Sequence, residues 1–144
     1  MATVLNPYAN QDLFWPSEFH QNHVKALQGR GDVRKPFQRQ IDLWWCALCL
    51  GVKIGQRTRL GPKAKLVKFN DGGILSSDPW RITHLELLAL AEFGEEGLDN
   101  PSGTIQMASE YAATGARVIG EICMGAAEPT LTLLTQLPDY LETA

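Results

Sequence analysis

Trp45-Cys46-Ala47-Leu48-Cys49 has the spacing of a dithiol that cycles with a disulfide. That chemistry needs one sulfur as a thiolate, a state favoured where a helix N-terminus presents its positive end. Here the pair falls in the middle of an apolar stripe from Phe37 to Val52, with no strand pattern just before it. The expectation is two buried thiols acting as small apolar side chains. A zinc site needs two more ligands, and only Cys123 and three histidines remain. His20 and His23, one helical turn apart near Glu18, have metal-binding spacing but no evident fourth ligand. His84 stands alone. The chain contains no Gly-x-Ser-x-Gly, no Gly-x-x-x-x-Gly-Lys-Ser/Thr and no His-Glu-x-x-His. The sequence therefore predicts a protein that is not an enzyme, with no catalytic residue, metal or cofactor. Cys46 and His84 are the candidates for an enzymatic centre if that expectation fails.

The basic residues carry the stronger signal. Residues 1–70 hold eleven Lys and Arg against four acids, a balance of +7; residues 71–144 hold two against twelve, a balance of −10. The net charge of −3 hides this division. A basic half of this kind suits a polyanion, and phosphate neutralisation by Lys and Arg supplies most non-specific nucleic-acid affinity. Arg34, Lys35 and Arg39 are expected at the start of a helix, where unpaired N–H groups and the dipole also favour phosphate. Lys53 lies near that helix's end. Arg57, Arg59, Lys63, Lys65 and Lys68 follow in a basic connector expected to be flexible. These nine residues are the candidate nucleic-acid contacts. A second reading stays open, in which the two charged halves attract each other within one fold.

The elements that position these residues are marked by proline and glycine. Proline is well tolerated at the first helical position, where its missing N–H would have had no partner. Pro16, Pro36, Pro79, Pro101 and Pro129 each stand where a helical pattern begins. Asp78, Asn100 and Glu128 are the caps before the last three. The pattern predicts a short strand over 11–15, then helices over 16–28, 36–55, 79–93, 101–124 and 128–137. The second is expected to be the central core helix. The fourth is expected to break near Gly115, because interior glycine costs about 1 kcal/mol relative to alanine. Pro138 is expected to end the fifth. Residues 66–69 read as a strand, turned at Asn70-Asp71-Gly72-Gly73 so that Ile74 and Leu75 pair back in a small hairpin.

The predicted fold class is mainly α: about five helices in one compact domain, 1–144, with a short N-terminal strand and a small hairpin. About 144 residues suffice for a core without disulfides. The longest apolar run, Leu43 to Val52, is far shorter than the roughly 20 residues of a spanning helix. No signal-peptide pattern is visible near Met1, and three cysteines, an odd number, fit a reducing compartment. Cytoplasmic location is the expectation.

The order of strand, helix, basic turn and long apolar helix is shared with ribbon-helix-helix-like DNA binders. The layout resembles the E component of bacterial DNA phosphorothioation (sulfur modification) systems. The resemblance runs over about residues 11–93: Leu13-Phe14-Trp15 as opening strand, Val24 to Leu27 ending the first helix, and Pro36 to Leu50 in the long helix. Asp71-Gly72-Gly73 then leads through Asp78-Pro79-Trp80 into another helix. The turn between the first two helices differs, and residues 101–144 are an additional acidic segment. The resemblance implies a non-enzymatic DNA binder that uses lysines and self-associates, in a DNA-modification or phage-defence complex. The expected partners are DNA through its phosphate backbone, a second copy of the chain, and proteins met by the acidic C-terminal helices. The alternative is a protein-interaction scaffold without nucleic-acid binding, with Trp44, Trp45 and Trp80 at interfaces. Whether the first strand pairs within the chain or across a dimer is left open.

Overall fold

The computed structural model describes residues 5–142. The fold is mainly helical, with one two-stranded antiparallel sheet. Strand β1 (Asp12–Pro16) leads into a helix assembled from α1 (Ser17–Phe19), a π-helical segment (His20–Val24) and α2 (Lys25–Leu27). Then come α3 (Gln40–Ile54), β2 (Leu66–Asp71), a 3-10 helix (Gly72–Ser77) and α4 (Pro79–Phe93). A second 3-10 helix (Glu95–Asp99), α5 (Pro101–Cys123) and α6 (Pro129–Glu142) complete the chain.

Helix α5 is the centre of the fold. Most of its 23 residues are buried, and α3 crosses it at very short range. A Cβ added at Gly115 would lie 1.8 Å from the Ala47 carbonyl oxygen; one added at Gly51 would lie 1.9 Å from the Tyr111 carbonyl oxygen. Ala47 and Gly51 are four apart on α3, and Tyr111 and Gly115 four apart on α5, so each helix presents adjacent turns of one face. The pairs run Ala47 to Gly115 and Gly51 to Tyr111, which makes the crossing antiparallel. The expected break at Gly115 is therefore absent: packing against α3 holds the helix through its weakest residue. Beyond the crossing, Trp15 and Trp44 are fully buried, and Phe69 packs its ring 5.2 Å from Trp15 and 6.4 Å from Trp44.

Three local expectations are corrected. The hairpin over 66–75 does not form. β2 pairs with β1, Phe14 opposite Lys68 and Pro16 opposite Leu66, so β1 finds its partner within the chain. Residues 74 and 75 lie in a 3-10 helix that Asp71 caps by accepting from the Gly73 N–H (3.0 Å). Pro36 does not start a helix. Phe37 donates to the Leu27 carbonyl (3.1 Å) and accepts from the Gly29 N–H (3.0 Å), which holds this stretch extended until Gln40. Pro138 does not end α6, which continues to Glu142; the carbonyl that loses its donor belongs to Leu134, a 70% exposed residue that water reaches. Pro79 and Pro101 do open α4 and α5, and Asn100 accepts from the Gly103 N–H (3.1 Å). No helix among the described residues is long and apolar enough to cross a membrane.

Candidate nucleic-acid interface

The basic connector between α3 and β2 is an ordered strap. Gly55 closes α3 in the left-handed conformation, at φ 81°. The Thr58 N–H then donates to the Glu110 carbonyl (3.0 Å), and the Thr58 and Thr114 hydroxyls share a hydrogen bond (2.8 Å). The Leu60 N–H donates to the Glu110 carboxylate (3.1 Å), and the Leu60 carbonyl accepts from Gln106 (3.0 Å). A turn closed by Ala64 N–H to the Gly61 carbonyl (3.0 Å) puts Lys63 at its tip. The far end is tied where Ser17 N–H donates to the Lys65 carbonyl (2.9 Å). On the strap these bonds use backbone groups and the Thr58 hydroxyl, which leaves Arg59, Lys63 and Lys65 exposed.

The nine predicted contacts separate into distinct groups. Arg59, Lys63 and Lys65 are exposed on the strap, with Lys53 exposed in the last turn of α3 just before it. None of these four lies within ion-pair distance of a carboxylate among the described residues. Arg57 approaches Glu110 at 3.8 Å, and Lys68 pairs across the sheet with Asp12 at 2.9 Å. Arg34 and Lys35 lie in the turn beyond α2, at the other end of the first helix from Lys65, roughly 16 Å away along eleven helical residues. Lys35 donates its ammonium to the Lys25 carbonyl, and Arg34 stands 3.4 Å from Asp32. Backbone and side-chain hydrogen bonds from Arg34 hold the Asp32 carboxyl below its usual value.

Arg39 belongs to a different arrangement. It reaches Asp42 (2.9 Å) and Asp78 (3.0 Å), and Arg81 reaches the same two carboxylates at 2.9 and 3.4 Å. The Arg81 side chain is only 7% exposed, and its guanidinium lies 5.4 Å from the Trp45 ring centre and 4.8 Å from that of Trp80. Burial alone would raise the Asp42 pKa; hydrogen bonds from Arg39 and Arg81 outweigh it and hold the carboxyl below its usual value. Two charges of each sign tie the start of α3 to the start of α4, and Asp78 spends its carboxylate here instead of capping α4. Across the two halves of the chain Arg39–Asp78, Arg57–Glu110 and Arg81–Asp42 form ion pairs among the described residues, so mutual attraction engages two of the basic half's eleven Lys and Arg.

Sequence reasoning missed two residues that shape this surface. Glu110 anchors the strap; its signal was its standing as the one acid between Pro101 and Gly120. Arg117, exposed on α5, joins Thr58 and Leu60 in lining a cavity beneath the strap.

Cys46 and Cys49 lie in mid-helix on α3, and Cys123 is the last residue of α5. Burial pushes Cys46 up to about 11 and raises Cys49 and Cys123 above the usual thiol value. Cys49 alone is exposed. Ellman's reagent at pH 7.5 is expected to titrate one thiol quickly in the native protein and three after denaturation. Rapid reaction of Cys46 and Cys49 together would instead mark a reactive dithiol. His84 lies beside two tryptophan rings, 6.4 Å from Trp45 and 5.7 Å from Trp80. Among the described residues no three His, Cys, Asp or Glu side chains gather as a metal site. The chain matches no protein-family model, no curated protein and no solved structure.

Proposed function

We propose that this chain is a non-enzymatic DNA-binding protein that holds the phosphate backbone along its strap. Lys53, Arg57, Arg59, Lys63 and Lys65 make the main contacts, Lys68 extends the line onto β2, and Arg34 with Lys35 offer a separate contact beyond the first helix. The observation that carries this reading is the strap: three unpaired cations on a backbone already fixed at both ends, with Lys53 exposed just before it. Fixing the backbone in advance lowers the ordering cost of binding. Arg39 serves the fold through its two carboxylates. The role fits an accessory subunit of a bacterial DNA-modification or phage-defence complex, as the phosphorothioation resemblance implies.

Assembly through protein contacts is a second reading, favoured by the outer face of α4. Trp80, Leu87 and Leu90 are 49%, 56% and 40% exposed and share one stripe of that helix. Most of α5 is buried, so α4 and α6 are the acidic-half helices with surface to offer a partner.

Replacing Arg57, Arg59, Lys63 and Lys65 together by Gln tests the strap. Duplex affinity at low salt is expected to fall about 100-fold, and the salt slope to shrink by about 3 to 4. Unchanged affinity and slope would remove the strap from the interface.

A further inference from the structure

Beneath the strap lies a cavity of about 470 Å³, half open to solvent and lined by the first helix, Thr58, Leu60 and α5. We propose that this cavity receives one unpaired nucleobase, so that the preferred ligand is a nucleic acid with a single-stranded segment whose phosphates lie on the strap. The proposal rests on the DNA-binding reading above and adds the form of nucleic acid to it.

The floor is α5 at its smallest residues, Ala113, Ala116 and Gly120. The lack of a side chain at Gly120 admits the His23 ring, which a Cβ there would meet at 3.0 Å. Phe19 and His23 pack with ring centres 5.5 Å apart and planes tilted by 41°; Phe19 is buried and His23 half-buried, so His23 is the ring offered to a ligand. Burial lowers the His23 pKa against the opposing Glu18 charge, which favours the neutral imidazole. Leu60 closes the cavity on the strap side. Flat apolar walls with a histidine suit an aromatic ring, and stacking on such side chains is the common way of holding unstacked bases. The volume falls in the range of small-molecule sites.

Charge decides which part of a nucleotide enters. Glu18 and Glu121 line the cavity, against Arg117 alone. Two carboxylates disfavour a phosphate inside and accept hydrogen bonds from the amino groups of adenine, cytosine or guanine. Thymine has no amino group to give. The exposed strap cations Arg59 and Lys65 are not among the cavity's lining residues, and the phosphates of the same strand would run along them.

Anisotropy of a labelled single-stranded deoxycytidine 12-mer, an abasic strand of equal length and a 12-base-pair duplex tests this. The cytidine strand is expected to bind about tenfold more tightly than the abasic strand, the order of one base–aromatic stack. His23→Ala is expected to abolish that ratio and leave duplex affinity unchanged. Glu121→Gln, at an exposed residue, is expected to reduce the ratio although it removes a negative charge; a purely electrostatic role predicts tighter binding of every strand. Equal binding of the cytidine and abasic strands overturns the base site and leaves the strap reading intact. Competition by free deoxycytidine monophosphate at submillimolar concentration reassigns the cavity to a mononucleotide. Absence of binding to all three removes the strap reading and this proposal with it.

Discussion

Gly115→Ala is expected to lower Tm by more than about 10 °C, a loss of several kcal/mol for a chain of this size. Helix propensity argues the other way, since alanine is favoured over interior glycine by about 1 kcal/mol. The crossing decides the sign. The new methyl would stand 1.8 Å from the Ala47 carbonyl oxygen, and a backbone atom in the middle of α3 has no rotamer by which to yield. The two helices must separate, and separation opens the core that Leu43, Ala47, Leu50, Ala108, Ala112 and Ile119 fill. Gly51→Ala meets the Tyr111 carbonyl at the same interface, so the double variant is expected to cost less than the sum of the two. Thermal and urea unfolding measure both. A neutral or stabilised Gly115→Ala contradicts the close crossing.

Arg81→Met is expected to cost about 3 kcal/mol in urea unfolding. Methionine replaces the apolar stem and its contact with the tryptophans, but Asp42 and Asp78 are left with Arg39 alone between them. Arg81→Lys is expected to recover little, because an ammonium cannot span both carboxylates in the plane of a guanidinium stacked on two rings. Acid provides an independent check. The folded-state pKa of Asp42 is depressed, so its contribution is present above the unfolded carboxyl value of 3.8 and is lost as pH falls toward the folded value. The wild type is expected to lose stability in that window, and Arg81→Met less steeply. Equal stability of Arg81→Met and wild type at pH 7 would mean that the buried charges contribute nothing net.

The elements that short-range chemistry determines were legible. Pro79 and Pro101 open α4 and α5 because each supplies a preset φ after a capping position, and Gly55 and Gly94 end α3 and α4. The mainly helical class and the first strand followed from the same signals. What escaped depends on contacts distant in sequence. β2 could not be assigned to β1 because its turn residues favour a local hairpin, while the partner lies fifty or more residues away. The start of α3 was placed too early because Pro36 fits a helix start, whereas Phe37 is held extended by Leu27 and Gly29. Gly115 looks like a helix weakness until α3 is seen against it.

The candidate site divides in the same way. Composition identified the strap's cations, since charge needs no partner to be counted. It could not show that Glu110 and Gln106 fix the strap's backbone, that Arg39 is committed to two aspartates, or that a cavity lies below.

Anisotropy of a labelled duplex with the wild-type protein, repeated from 50 to 200 mM salt, tests the central claim most directly. Four to five phosphate contacts predict a log–log slope of about −4 and a loss of affinity of roughly 100-fold or more across that range. No binding at the lowest salt would contradict the claim and assign the exposed cations of the strap to a protein partner.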